Sequence, residues 1–261
     1  MLSPPKRVTV LGIPVDCVDM SRTLAYVRDA VATDRAHCIL AVNPEKVITA
    51  QADPVLRRAM ENAALLIPDG IGVVYAVRLL WRERIARVPG AELMPAICAA
   101  SAREGYRLFL FGASEAVNAQ AVAELQRCYP GITIAGRHHG YVDEADMGAV
   151  VDAINRSGSN VLFVALGSPK QELWMEKYLP RLPGIRVCQG VGGTFDVIAG
   201  RVRRAPLAVR RTNLEWFYRL VTDPRRMRRQ VALPRFVYQV LRARLAGPSQ
   251  PAAGENGANS H

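Results

Sequence analysis

Seven strand-length apolar runs punctuate residues 8–189 of this chain: Val8–Leu11, Cys38–Val42, Ala64–Ile67, Arg107–Phe111, Ile132–Ala135, Val161–Leu166 and Arg186–Gln189. Amphipathic stretches lie between most of them. Glu115–Tyr129 sets Val117, Ala121, Val122 and Leu125 at helical spacing, and Asp143–Asn155 does the same with Met147, Val150, Val151 and Ile154. Strands that alternate with helices pair in parallel and bury both faces under those helices. The pattern therefore predicts an α/β architecture with Rossmann-like parallel sheets and flanking helices.

No internal repeat breaks this alternation. Residues 1–200 read as one α/β core, with Gly131–Gly140 offering a divide between two lobes. Residues 201–245 read as a basic helical C-terminal appendage. Residues 246–261, rich in Gly, Pro, Ser, Asn and Ala, read as a disordered tail.

The charge is placed unevenly. Residues 201–245 hold thirteen arginines and no lysine against Glu215 and Asp223, a net +11 that equals the charge of the whole chain. The core is thus electrically balanced, and the appendage carries a field that seeks phosphates in anionic lipid or nucleic acid. Met227, Val231, Tyr238, Leu241 and Leu245 fall on one helical stripe among arginines, the pattern of a membrane-surface helix. The stripe can equally pack on the core. Trp216, Phe217 and Tyr218 upstream suit an interfacial position.

The five cysteines are odd in number, scattered and without a CxxC pair, which fits a reducing cytosol and argues against a disulfide framework or zinc site. Met1–Arg7 contain no apolar signal region, and no apolar run approaches the roughly 20 residues of a spanning helix. The expectation is a cytoplasmic protein, or one peripheral on the inner face of the plasma membrane. His138 and His139 are adjacent with no third ligand nearby, and no DxD triplet occurs, so neither metal nor cofactor is expected.

Ligands of open α/β sheets sit beyond the carboxyl ends of the strands. Four such ends here are polar or glycine-rich. Asp69, after an apolar run and before Gly70, either caps a turn or helix or projects a carboxylate that takes a proton from an acceptor hydroxyl; both can hold. Asn43 before Pro44 ends a strand or holds a sugar hydroxyl. Gly167-Ser168-Pro169-Lys170-Gln171-Glu172 reads as a tight turn into a helix with Pro169 near its first position, and its free N–H groups suit a phosphate or sugar. Gly190-Val191-Gly192-Gly193 lacks dinucleotide GxGxxG spacing but permits close backbone approach to a ligand, and Asp196 binds a ribose or caps a turn. Arg82, Arg84 and Arg87 surround Glu83 as a solvated loop or a phosphate contact.

Together these segments resemble the WecG/TagA/CpsF family of glycosyltransferases (glycosyltransferase family 26). The resemblance rests on Val42-Asn43-Pro44-Glu45, Pro68-Asp69-Gly70-Ile71-Gly72-Val73, Arg87-Val88-Pro89-Gly90, Phe111-Gly112-Ala113, Tyr129-Pro130 and Gly140-Tyr141. It continues through the Gly167–Glu172 and Gly190–Asp196 segments, Arg204-Ala205-Pro206 and Leu214-Glu215-Trp216-Phe217-Tyr218-Arg219, in the family's order over roughly residues 8 to 240.

The resemblance implies inverting transfer of a hexose from a UDP-sugar to a polyprenyl-diphosphate-linked saccharide, in cell-surface polysaccharide biosynthesis. An N-acetylmannosamine-type sugar, glucose and a uronic acid all remain open as the hexose. It implies Asp69 as catalytic base, with Asn43, Arg87 and Gln171 in the pocket. Gly167, Gly192, Gly193 and Asp196 join them on the substrate-binding turns. Arg204, Arg211 and Arg219 fall in the appendage that closes over the site and meets the acceptor diphosphate and the anionic membrane. Ala41 stands where some members carry threonine, which removes a hydroxyl contact to the sugar. Self-association is open, and no self-complementary patch demands it. Two rival readings are a nucleotide-dependent Rossmann oxidoreductase, disfavoured by the missing GxGxxG, and a basic nucleic-acid-binding module, disfavoured because aromatic and basic residues lie on helices.

Overall fold

The computed structural model describes residues 4–202, 205, 206, 209, 212, 218 and 232–246. Six parallel strands form one sheet: β3 (His37–Val42), β4 (Leu65–Pro68), β5 (Arg107–Gly112), β6 (Thr133–His138), β7 (Val161–Ala165) and β8 (Val187–Gly190), in the order β4-β3-β8-β7-β5-β6. The two central strands, β7 and β8, are buried along their length, as the apolar runs require. Period-two alternation sends Leu40 and Val42 to one face and Ile39 to the other.

Helices cover both faces. Against one lie α2 (Pro44–Ala52), α3 (Pro54–Glu61), α4 (Ile71–Trp81), α7 (Met147–Ser157) and α8 (Lys170–Tyr178). Against the other lie α1 (Met20–Val31), α5 (Gly90–Glu104), α6 (Glu115–Cys128) and α9 (Thr194–Ile198). Each start follows local chemistry. Asp19 and Ser114 accept from backbone N–H groups at the heads of α1 and α6, and Pro44 and Pro54 occupy first turns whose N–H would be unpaired anyway.

The first apolar run is not part of this sheet. Residues 7–10 form β1 (Arg7–Val10), which folds back on β2 (Ile13–Asp16) as an antiparallel hairpin. Leu11 and Gly12 both take positive φ, 53° and 83°, the twist that a two-residue hairpin turn requires. Asp16 is fully buried and clamps the hairpin to the sheet. It accepts from Arg7 Nε and Nη2 at 2.7 and 2.8 Å and from Leu66 N at 2.7 Å. The segment Gly131–Gly140 contains edge strand β6, paired with β5 in the same sheet.

At the C-terminal side, α10 (Ala232–Ala246) packs chiefly on α2 and α4. Phe236 and Val240 face inward, and Gln51 Nε2 donates to Gln239 Oε1 at 2.7 Å. Val237, Tyr238, Leu241 and Leu245 face outward. Arg204, Arg211, Arg219, Met227, Val231, Trp216 and Phe217 lie outside the described residues, as does the tail beyond Ala246. No helix among the described residues is long and apolar enough to cross a membrane.

Candidate active site at the strand ends

β3 ends at Val42, and Asn43 turns the chain into α2. Its backbone is extended and its Oδ1 accepts from Lys46 N at 2.8 Å, so the residue is the N-cap of α2. β4 ends beside it. The N–H groups of Asp69 and Gly70 both donate to Val42 O, at 3.0 and 3.3 Å, which ties the Asp69 turn to the Asn43 turn through main chain. A Cβ on Gly70 would stand 2.7 Å from Pro44 Cδ and 3.3 Å from Asn43 Cβ. Glycine therefore lets the two turns touch. The N-cap of α4 is Gly70, so Asp69 sits one residue ahead of the cap position.

The loop after α4 returns to the same place. Val88 N donates to Pro68 O at 2.8 Å and brings half-buried Arg87 to the end of β4. α5 then begins at buried Gly90. A Cβ there would lie 3.7 Å from Ala41 Cβ, 3.9 Å from Gln189 Nε2 and 4.0 Å from Asp69 Oδ2. These three groups therefore surround Gly90. Asn43, Asp69 and Arg87 are all half-buried at this crevice.

A second group forms at the ends of β7 and β8. Gly167, at φ 76°, accepts from Gln171 N at 2.8 Å and opens α8. Gln171 is buried, and its Oε1 accepts from Gly192 N at 2.9 Å. Gly190 lies so close that a Cβ would stand 2.7 Å from Gln171 Nε2. Gly193 is exposed. Asp196 lies in the first turn of α9, and its carbonyl receives the N–H groups of Arg201 and Val202. The two groups are joined underneath by a buried ion pair, Lys46 Nζ to Glu172 Oε1 at 2.7 Å.

Two cavities flank this region. One of about 460 Å³ opens beyond β5 and β7, lined in part by Ala113, Tyr141, Leu166, Lys170 and Trp174. The other, about 320 Å³, lies between α3 and α8, with Cys38, Glu172 and Met175 in its wall. The crevice around Asp69 is separate from both. The thiols of Cys38 and Cys98 are pushed up to about 12 by burial.

The sequence named Asn43, Asp69, Arg87, Gln171 and Gly192, and the fold brings them to the carboxyl-end side of one sheet. Lys46, Glu172 and Gln189 were not singled out. Glu172 stood in a motif as a helix residue, and Gln189 stood as the end of a strand. The available signal was polarity at positions the helical and strand periods assign to the core, as with Gln189 inside Val-Cys-Gln-Gly.

Residues 8–250 match the model of the glycosyl transferase WecG/TagA/CpsF family. Among characterised proteins, the chain is 38% identical over 204 residues to the N-acetylglucosaminyldiphosphoundecaprenol N-acetyl-beta-D-mannosaminyltransferase of Bacillus spizizenii, covering 78% of each chain. It is 33% identical over 235 residues to the protein of the same name from Bacillus subtilis, covering 90% of this chain and 91% of the relative. These matches set aside the oxidoreductase and nucleic-acid readings. The chain belongs to the WecG/TagA/CpsF family of glycosyltransferases.

Proposed function

We propose that this glycosyltransferase moves an N-acetylmannosamine-type hexose from a UDP-sugar to a saccharide carried on polyprenyl diphosphate, with inversion. The lipid-linked acceptor and the sugar are taken from what the two relatives are named for. The observation that carries the reading is the position of Asp69, a half-buried residue whose backbone N–H donates to Val42 O beside Asn43 and whose carboxylate faces Gly90.

Asp69 takes the proton of the acceptor hydroxyl as that oxygen attacks the anomeric carbon, and the bond to the UDP oxygen breaks on the opposite side. Asn43 and Arg87 orient the sugars. The backbone N–H of Gly193 and the basic appendage meet the charge that develops on the leaving diphosphate, while Arg204, Arg211 and Arg219 serve the acceptor diphosphate and the membrane. Gly167, Gln171 and Asp196 complete the donor side. The cavity of about 460 Å³ beside Leu166 and Lys170 has room for part of the donor. Tyr238, Leu241 and Leu245, exposed on α10 beside Arg242 and Arg244, form the face that meets an anionic membrane.

The test is UDP release from a panel of UDP-sugars, with and without a polyprenyl-diphosphate-linked N-acetylglucosamine acceptor. Acceptor-dependent release with the N-acetylmannosamine donor is expected. Asp69→Asn should lower kcat by about 10²–10⁴ with intact UDP binding, the usual span for loss of a general base. Full activity in Asp69→Asn, or release from other donors alone, would overturn the reading.

A further inference from the structure

Gln171 has its amide oriented from behind. Glu172 Oε1 accepts from Gln171 Nε2 at 3.0 Å and from Lys46 Nζ at 2.7 Å. Lys46 Nζ also donates to Ala41 O at 2.9 Å. All three side chains are buried, with Lys46 6%, Gln171 3% and Glu172 1% exposed. A carboxylate accepts and does not donate, so it can receive only the NH₂ end of Gln171. The carbonyl end of that amide is thereby turned toward Gly192 N, which it meets at 2.9 Å. Gly192 sits at φ 53°, in the left-handed region, at the tip of the turn between β8 and α9.

We propose that Lys46 and Glu172 are positioning residues for glycosyl transfer: they lock the amide of Gln171 and, through it, the conformation of the Gly190–Gly193 turn. The chain of contacts runs from Ala41 O at the end of β3, through Lys46, Glu172 and Gln171, to Gly192 N. It connects the turn bearing Asn43 to the turn assigned to the donor diphosphate, and it rests on the donor-side reading given above. Lys46 and Glu172 act through Gln171. The pair is also an unusual choice if packing were its only role. A buried ion pair is commonly no more stabilising than well-packed apolar residues of similar size, and Glu172 Oε2 is buried without a hydrogen-bond partner among the described residues.

That last point supplies the test. The double variant Lys46→Met, Glu172→Leu replaces the pair by apolar side chains of similar length and should stay folded, by thermal melting and circular dichroism. Two readouts are then taken: amide hydrogen exchange at Gly192 by NMR, which needs no ligand, and the affinity for UDP by calorimetry. Gly192 exchange is expected to accelerate, and UDP binding to weaken about tenfold, the value of a typical hydrogen bond. In a Gln171→Leu background the same pair of changes should cause no further loss, because the pair acts through that amide. Glu172→Gln, the closest in shape, serves if the double variant does not fold, with smaller changes of the same sign. A folded variant with natural Gly192 exchange and natural UDP affinity would overturn the proposal, as would additive losses in the Gln171→Leu background. Natural protein that binds no UDP would overturn the donor reading instead, and Gly192 exchange would still decide the role of the pair.

Discussion

Phe236→Ala should release α10 from the core. Phe236 is 2% exposed, and Cε1 of its ring lies 3.7 Å from where a Cβ on Gly72 would stand, the same point that approaches Pro44 Cγ to 2.8 Å. The ring therefore packs where α10 crosses the turns that lead into α2 and α4. A phenyl side chain takes roughly 150–200 Å² out of water. At about 25 cal/mol per Å² this contributes about 4–5 kcal/mol, within the range of about 3–5 kcal/mol for Phe→Ala in a core. The principal packing of α10 is on two helices rather than on a strand, so the loss should appear as local undocking. The undocked fraction should rise about a thousandfold for 4 kcal/mol. Hydrogen exchange of peptides covering 232–246, and trypsin cleavage after Arg235 and Arg242, report it directly. Leu241→Ala, at a position 52% exposed, should change neither. Transfer activity should fall with undocking, since Pro44 adjoins Asn43 and Gly72 lies near Asp69. The reasoning fails if the 232–246 peptides keep their protection in Phe236→Ala, or if they and the sheet open together with one lowered melting temperature.

Three further outcomes are expected. Asp16→Ala leaves Arg7 without its buried partner and Leu66 N without an acceptor; with Arg7 one-third exposed, the cost should lie near the low end, about 3 kcal/mol by urea unfolding. Gly112→Ala should prevent folding, because φ is 125° and the new Cβ would lie 2.4 Å from Ala165 O, whereas Gly105→Ala, at φ 74° with nothing within 4 Å, should cost only about 1 kcal/mol; soluble yield and melting temperature separate the two. In the native protein at pH 8, an alkylating reagent should label exposed Cys128 first and leave buried Cys98 and Cys188 untouched until denaturant is added. Burial raises those two thiols, and Cys98 at about 12 is only about 10⁻⁴ thiolate at pH 8.

The main sheet was legible because its strands are apolar on both faces and its helices amphipathic on one. The hairpin was not, since Val8–Leu11 has the composition of any buried strand and the first turn residue, Leu11, carries no turn signal, which left Gly12 alone to mark it. Asn43 and Asp69 were legible as strand-end polar residues, but that Gly70 and Gly90 let them approach Pro44, Ala41 and Gln189 depends on distances between segments far apart in sequence. The Lys46–Glu172 pair was hidden for a related reason. On a helix of mixed polarity a lysine or glutamate reads as solvated, and only the folded arrangement that brings Lys46 to Glu172 takes both out of water.

The last strand among the described residues, β8, is inserted in the middle of the sheet, between β3 and β7. A nascent chain that has left the ribosome only as far as β7 holds two blocks with no edge in common. One contains β3 and β4 with Asn43 and Asp69; the other contains β5, β6 and β7. Val187–Gly190 stitches them, so Asp69 and the Gly190–Gly193 turn come within reach of each other only when synthesis of the core is nearly finished. Premature termination products should therefore be unable to sequester either substrate.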